Sequence, residues 1–442
     1  MLPLSFLQQA GQIWDSVYVV GGFLRERWFG RLSNDLDLVV PMGAIQGAEI
    51  LARKFNKPWF ILDADRDIAR IAFSPEFTVD IARMSTAGID ADLAARDLSI
   101  NALACPLVAE LFLIEIPFQD LPFLDPCKGL PDLQNGSIRC IDKRNLVEDP
   151  LRLLRVFRFA STCGFEIEQQ TLAWVKLLSS SIHTVASERL LQELDKFLSG
   201  KNIIKAFEQM VETNLAQEIF TDLKKDQWTS SVRVWSDLKD LMQVPVLSGS
   251  KIGFEQPFQH YLAEPLTGER KRRDLIFLVS LFYQDLSDNW VLFAKKIRLG
   301  VKDADFGLKI LNYKLEIEKI KNNASDKLSR FRFYRKCQET VPALLLLAVV
   351  FQELDLSQSS DAAFIDLLLS ECFDLTHPYL TLPPLINGND ILKQAKIKPG
   401  PLIGKLLLAV QEAQVMELIA SKSEALNYVD RLLANDGQEV VS

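Results

Sequence analysis

Asp35-Leu-Asp37 is a place where residue type and spacing together point to chemistry. On a β-strand, positions two apart face the same side, so both carboxylates project into one place. Acids held that close repel each other unless a cation sits between them. Hard oxygen donors of this kind suit Mg2+, which keeps waters and substrate phosphates in the rest of its shell. Alone, the pair reads sooner as a solvated strand start with two surface acids. Its neighbours add to it. Gly21-Gly22 closes the preceding strand signal, and Phe23-Leu-Arg25 opens a helix. Glycines let a phosphate approach the backbone, and a helix start offers unpaired N–H groups and a positive dipole end. Arg25, on the first turn, would point into the same pocket. A triphosphate seat followed by a metal-binding pair is the equipment of phosphoryl transfer.

Other residues have two readings each. Asp80, in Thr78-Val-Asp-Ile, is either a third carboxylate for the metals or a strand-edge acid. Arg96 either binds phosphate or pairs with a neighbouring acid. Asn101 bonds either a ribose hydroxyl or a loop backbone. In Glu148-Asp149-Pro-Leu-Arg152-Leu-Leu-Arg155-Val-Phe-Arg158, Asp149 is a good helix cap and Pro150 fits the first helical position. Arg152, Arg155 and Arg158 recur every three residues as a basic stripe beside an apolar one. Asp149 and Arg152 together present acceptors and donors, which can read the edge of a nucleobase without a template.

The elements that must position these groups change character along the chain. The first 140 residues read as mixed α/β, with strand signals at 16–20, 35–40, 59–63, 68–73 and 77–82. From about Asp142 the pattern is helical almost to the end. Pro and Gly cluster near 244–268 and 378–404, which reads as two junctions. The expected fold class is α+β, a mixed-sheet head carrying a long helical body.

Composition sets the outer limits. A chain of 442 residues suggests about three structural units. With 48% hydrophobic and 24% charged residues it should fold. The apolar run Ala343 to Phe351 is about half of what a bilayer span needs, so no membrane partner is expected. The N-terminus lacks the basic lead-in of a secretory leader, and six scattered cysteines suggest neither zinc knuckle nor disulfide framework. A reduced, cytoplasmic setting fits these features. The net charge of -8 excludes a protein that coats nucleic acid by bulk charge. Locally the balance reverses: Ile252 to Thr340 holds seventeen Lys/Arg against twelve Asp/Glu.

Taken together, Gly21-Gly-Phe-Leu-Arg25, Asp35-Leu-Asp37, Arg96-Asp-Leu-Ser-Ile-Asn101-Ala, Asp125-Pro-Cys-Lys-Gly129-Leu-Pro-Asp132 and Glu148-Asp149-Pro-Leu-Arg152 resemble, in order and spacing, the motifs of the class II tRNA nucleotidyltransferase and poly(A) polymerase family. Glu188-Arg189-Leu-Leu-Gln-Glu193 looks like the family's next motif, and segments at 385–390, 399–404 and 423–426 resemble its tail. The resemblance covers 16–200 and the tail well, and 200–370 only as helix. It implies a polymerase-β-like head at 1–140, a base-binding helical neck at 141–200, a helical body at 201–375 and an RNA-binding helical tail at 376–442. It also implies Mg2+ on Asp35 and Asp37, with triphosphate contacts from Gly22, Arg25 and Arg96. Asp149 and Arg152 would select the base, aided by Arg155 and Arg158. The implied partners are the tRNA 3′ end and CTP or ATP, with no DNA.

Departures from the family pattern carry information. Glu26 replaces a usual Asp, and Ala95 stands where a second Arg often precedes Arg96. The interval from Asp80 to Asp92 is shorter than the flexible loop of CCA-adding members, which resembles the CC-adding subgroup. The alternatives are a CCA-adding or A-adding enzyme, a poly(A) polymerase, or a catalytically silent RNA-binding relative. The three histidines, 183, 260 and 377, are too dispersed for the His-Asp phosphohydrolase module of some members, and structural roles are expected for them. Arg270 to Arg273, Lys295 to Arg298 and Lys327 to Lys336 are either phosphate contacts along the body or solvated helix surface.

Overall fold

A computed structural model of the chain describes residues 4–108, 118–221, 223, 227–243, 255–268, 270–374, 377, 382–395 and 398–439. Contacts divide the chain into two compact units, Met1–Thr221 and Asp222–Ser442. Length alone suggested about three.

The first unit is built on a six-stranded mixed sheet. Its strands are β1 (Tyr18–Val20), β2 (Asp35–Val40), β3 (Trp59–Asp63), β4 (Ile68–Ser74), β5 (Phe77–Arg83) and β6 (Ala104–Pro106), in the order β3-β4-β5-β2-β1-β6. Only β2 and β5 run parallel; the other pairs are antiparallel. Alternation assigns the faces. Leu36, Leu38, Ala69, Ile71, Val79 and Ile81 are buried on one side. Helix α3 (Ala44–Phe55) packs against β3, β4 and β5. Its start is capped by the Asp67 carboxylate, which accepts from the Ala44 and Ile45 amides at 3.0 and 2.8 Å. The opposite face carries the acids. Register places Asp37 opposite Val20 on one side and Asp80 on the other. Asp80 in turn lies opposite Arg70, and Arg70 opposite Phe60.

Helix α1 (Leu4–Ile13) lies against α3, α2 (Gly22–Trp28) joins β1 to β2, and α4 (Ile89–Ala94) follows β5. A 3-10 turn, Ser99–Asn101, precedes β6, and α5 (Gly129–Asn135) packs on that turn. Next come α6 (Lys143–Glu148), α7 (Leu151–Cys163), α8 (Gln169–Leu178), α9 (Ser187–Leu198), α10 (Ile203–Glu212) and α11 (Leu215–Ile219). Leu153, Leu154, Val156 and Phe157 bury α7 against α9 and α10. One short ladder interrupts this run of helices. Ser137–Ile138 pairs in parallel with Glu166–Ile167. Gly136 and Gly164, at φ 64 and 77, turn the chain out of α5 and α7 into these extended pieces.

Among its described residues the second unit is mainly helical, with one small antiparallel pair, Pro265–Thr267 with Arg270–Lys271. The apolar run near 343–351 forms the helix Val341–Val350, buried at every position but Val349. It is a core helix. No helix among the described residues is long and apolar enough to cross a membrane. The Pro/Gly-rich stretch 378–404 holds helix Gly388–Ala395 and the start of Pro401–Val415, whose first residue is the proline. Both helices pack with Lys422–Glu439 around Ile391, Leu406, Val410 and Val429. Proline there starts a helix instead of marking a linker. Of the other predicted junction, 244–254 lies outside the described residues, and Glu255–Ala263 is helical.

Candidate active site

Strand β2 presents Asp35 and Asp37 on the face away from α3. Gly21 has φ 70 and ψ -130, a conformation natural only to glycine. A Cβ there would lie 3.1 Å from Arg96 Nη1 and 3.2 Å from Asp37 Oδ2. The glycine turn, the second acid of the pair and Arg96 therefore meet at one point. Asp37 is pushed up to about 6 by burial and by the carboxylates of Asp80 and Asp35, with Arg96 and Arg25 opposing. Its burial has a visible cause, since Val20, Val39, Leu93, Ala102 and Ala104 form an apolar cluster beside it on that face. Asp35 is exposed and accepts a hydrogen bond from Thr78 Oγ at 2.5 Å.

Asp80 faces the same side but is already engaged. Arg70 donates to both its oxygens, Nε to Oδ1 at 2.7 Å and Nη2 to Oδ2 at 2.8 Å. Among the described residues no three acidic, His or Cys side chains converge on a metal position. What remains suits a hard cation completed by waters and phosphates: two carboxylates on one face, one of them disfavoured as a bare charge.

Several predicted contacts take another form. Arg25 is 9% exposed; its guanidinium donates to Asn101 Oδ1, pairs with Glu26 at 3.0 Å and lies over the Phe159 ring at 4.7 Å. The unusual Glu26 is thus Arg25's partner. The Asn101 side chain links Arg25 to Asp97, accepting from Arg25 and donating to Asp97 Oδ1 at 3.1 Å. Arg155 is not a free member of a basic stripe. It donates to Asp97 at 2.7 Å and Glu193 at 3.2 Å. Arg158 lies 2.8 Å from the other Glu193 oxygen and 3.7 Å from the Phe159 centroid. Despite its burial Asp97 is held down at about 2, chiefly by Arg155 and by the Asn101 hydrogen bond. These pairs bind α7 to α9 and to the 96–101 segment. A helical repeat of three cannot show that, because the partners lie 38 and 58 residues away.

A cleft of about 250 Å³ opens beside Arg96, Asp97, Asn101, Asp149, Arg152, Arg155 and Arg189. Asp149 accepts from the Leu151 amide at 3.3 Å and from Arg189 Nη2 at 2.8 Å. Arg152 Nη1 is anchored by the carbonyls of Ala95 and Asn145, at 3.0 and 3.1 Å. Sequence reasoning missed Arg189 as a site residue, although it stands in the quoted Glu188-Arg189 motif. Arg96 donates to Asp92 at 3.3 Å and to the Asn101 carbonyl at 3.4 Å, while its buried Nε has no acceptor among the described residues. Between β5 and α4 only Met84 to Gly88 remain as loop.

The basic clusters of the second unit are largely paired within it. Arg270 is bound to buried Asp303, Arg272 to Glu264 and Arg273 to Asp274. Lys327, Arg330, Arg332 and Lys336 pair with Glu417, Glu371, Glu412 and Glu316. His183 lies 2.6 Å from Glu218, and His377 lies 3.5 Å from Glu371.

Family profiles match three stretches: "Poly A polymerase head domain" over 17–139, "Probable RNA and SrmB-binding site of polymerase A" over 164–227, and tRNA nucleotidyltransferase domain 2 over 309–429. A CC-adding tRNA nucleotidyltransferase of Synechocystis sp. is 29% identical, covering 94% of this chain and 93% of its own. An A-adding tRNA nucleotidyltransferase of Halalkalibacterium halodurans is 24% identical over 95% of this chain and 90% of its own. In fold the chain resembles the Thermotoga maritima CCA-adding enzyme solved with tRNA, with a TM-score of 0.68 at 21% identity over 97% of this chain and 94% of that one.

Proposed function

We propose that this chain, which belongs to the tRNA nucleotidyltransferase and poly(A) polymerase family, adds cytidylate to the 3′ end of tRNA without a template. The carrying observation is the convergence of the Gly21 turn, Asp37 and Arg96, whose buried Nε lacks an acceptor among the described residues, beside the cleft of Asp149, Arg152 and Arg189. An acid pair, an open backbone turn and an orphaned guanidinium donor are what a nucleoside triphosphate requires.

In this reading the RNA 3′-oxygen attacks the α-phosphorus of CTP and pyrophosphate leaves. Asp35 and Asp37 would hold Mg2+. When bound, the ion supplies charge neutralisation and a lowered pKa for the attacking hydroxyl. Gly21 leaves room for the phosphates, and Arg96 donates to them. Arg25, braced by Asn101, Glu26 and Phe159, keeps the turn and the head of α2 in place. The rest of the catalysis is positioning and electrostatics. In the cleft, Asp149 accepts from the cytosine amino group while Arg152 and Arg189 donate to its ring acceptors. Uracil offers an acceptor where cytosine offers that amino group, so it would face Asp149 unpaired.

Preference for two cytidines is supported by the five-residue loop from Met84 to Gly88 and by likeness to a CC-adding relative along nearly the whole chain. The test is incubation with tRNA lacking its 3′ end, each nucleotide supplied separately and then together, with products resolved to one nucleotide. Growth by two with CTP, unchanged when ATP is added, is expected. Addition of A would replace the subgroup reading, and no incorporation would overturn the reaction.

A further inference from the structure

We propose that the outer half of the head sheet, β3 and β4, seats the 3′-terminal segment of the RNA acceptor, with Arg70 holding a backbone phosphate and Phe60 stacking on a base. The inference rests on the transfer reading above and extends it to the strand that supplies the attacking hydroxyl.

Register puts Phe60, Arg70, Asp80 and Asp37 in one row across four adjacent strands, all on the face of the acids. At about 4.8 Å between strands, Arg70 lies roughly 10 Å from Asp37 and Phe60 roughly 14 Å. That is the span of a short single strand leading away from a hydroxyl at the acid pair. Arg70 suits a phosphate on that path. Its fork to Asp80 uses Nε and one Nη2 hydrogen, so three of its five N–H donors remain. The side chain is 40% exposed, and Asp80 fixes the guanidinium plane. Asp80 thereby has a role other than metal ligation, as the anchor of that cation.

Phe60 is 54% exposed. A large ring presented to water beside a partly satisfied guanidinium matches how proteins hold single strands, by stacking every base alike and pairing its phosphate. Strand addition by a second copy is the rival for this edge. It fits less well, because Pro58 directly precedes β3, the register shifts between Ile61 and Asp63, and the row of polar partners points across the sheet.

The experiment uses the full chain, tRNA lacking its 3′ end and CTP, with Phe60→Ser, Arg70→Gln and Arg70→Lys. Phe60→Ser and Arg70→Gln should each raise the KM for RNA about tenfold, within the range for loss of one stacked base, and leave the KM for CTP within about twofold. Arg70→Gln should also flatten the dependence of log RNA affinity on log salt by about 0.7, the loss of one single-strand phosphate contact. Arg70→Lys should keep that slope. Phe60→Ser alters an exposed side chain, so an unchanged thermal melt verifies its fold. RNA binding by fluorescence anisotropy without CTP separates the two readings. A wild type that binds but does not transfer overturns the reaction, whereas unchanged RNA affinity in Phe60→Ser and Arg70→Gln overturns the seat. Loss of a dimer in Phe60→Ser at unchanged RNA affinity would assign the edge to a second copy.

Discussion

Replacing Asp37 with Asn should stop nucleotide transfer and yet stabilise the metal-free protein. Asp37 is raised from 3.8 to about 6 by burial and by Asp80 and Asp35. A carboxyl whose folded value lies above its unfolded one is a penalty when ionised. Below the unfolded value both states are protonated and the penalty is absent. It grows between pH 4 and 6 and is complete above about 6. Two units correspond to about 3 kcal/mol at pH 7.5, an upper bound because the Asn amide brings its own desolvation. For a unit of this size that is a rise in melting temperature of roughly 5–10 °C. The assay is thermal unfolding of wild type and Asp37→Asn in EDTA, at pH 7.5 and pH 4. The gain should be present at the first and nearly gone at the second. Mg2+ with CTP should raise the melting temperature of wild type and leave the variant where it was. A variant less stable than wild type at pH 7.5 would refute the claim that Asp37 is a strained anion awaiting a cation.

Gly21→Ala should cost about 1–3 kcal/mol in backbone strain and depress transfer far more than that, because the new methyl lies within 3.2 Å of Asp37 and Arg96; single-turnover rates beside a thermal melt check both. Glu193→Ala removes the shared partner of Arg155 and Arg158 and should destabilise the first unit by about 3 kcal/mol, read by urea unfolding; a smaller effect than 1 kcal/mol would show that the pairs are not structural. Asp149→Ala and Arg152→Ala should blur discrimination among CTP, ATP and UTP more than they weaken tRNA binding. Competition assays giving wild-type selectivity in both would remove them from base choice.

The features legible in the sequence were those set by local spacing. Alternation in Asp35-Leu-Asp-Leu-Val-Val40 placed the strand at its observed ends and put both acids on one face. Asp149-Pro150 marked the start of α7 to within a residue. The 104–106 strand and the two-residue ladders escaped notice because so few residues carry no periodicity. The helix begun by Pro401, inside a cluster read only as a junction, was not legible because proline serves both a break and a first helical turn.

By itself, then, the chain's order of residues determined the head, the acid pair and the glycine turn, since each depends on neighbours a few positions apart. Pairing is a different matter. Whether Asp80 faces a metal or Arg70, whether Arg155 and Arg158 meet a base or Glu193, and whether Arg332 meets RNA or Glu412 depends on groups brought together from 10 to 80 residues away. A charged side chain settles on whichever opposite charge the fold delivers at hydrogen-bond distance, and only the tertiary structure decides which one that is.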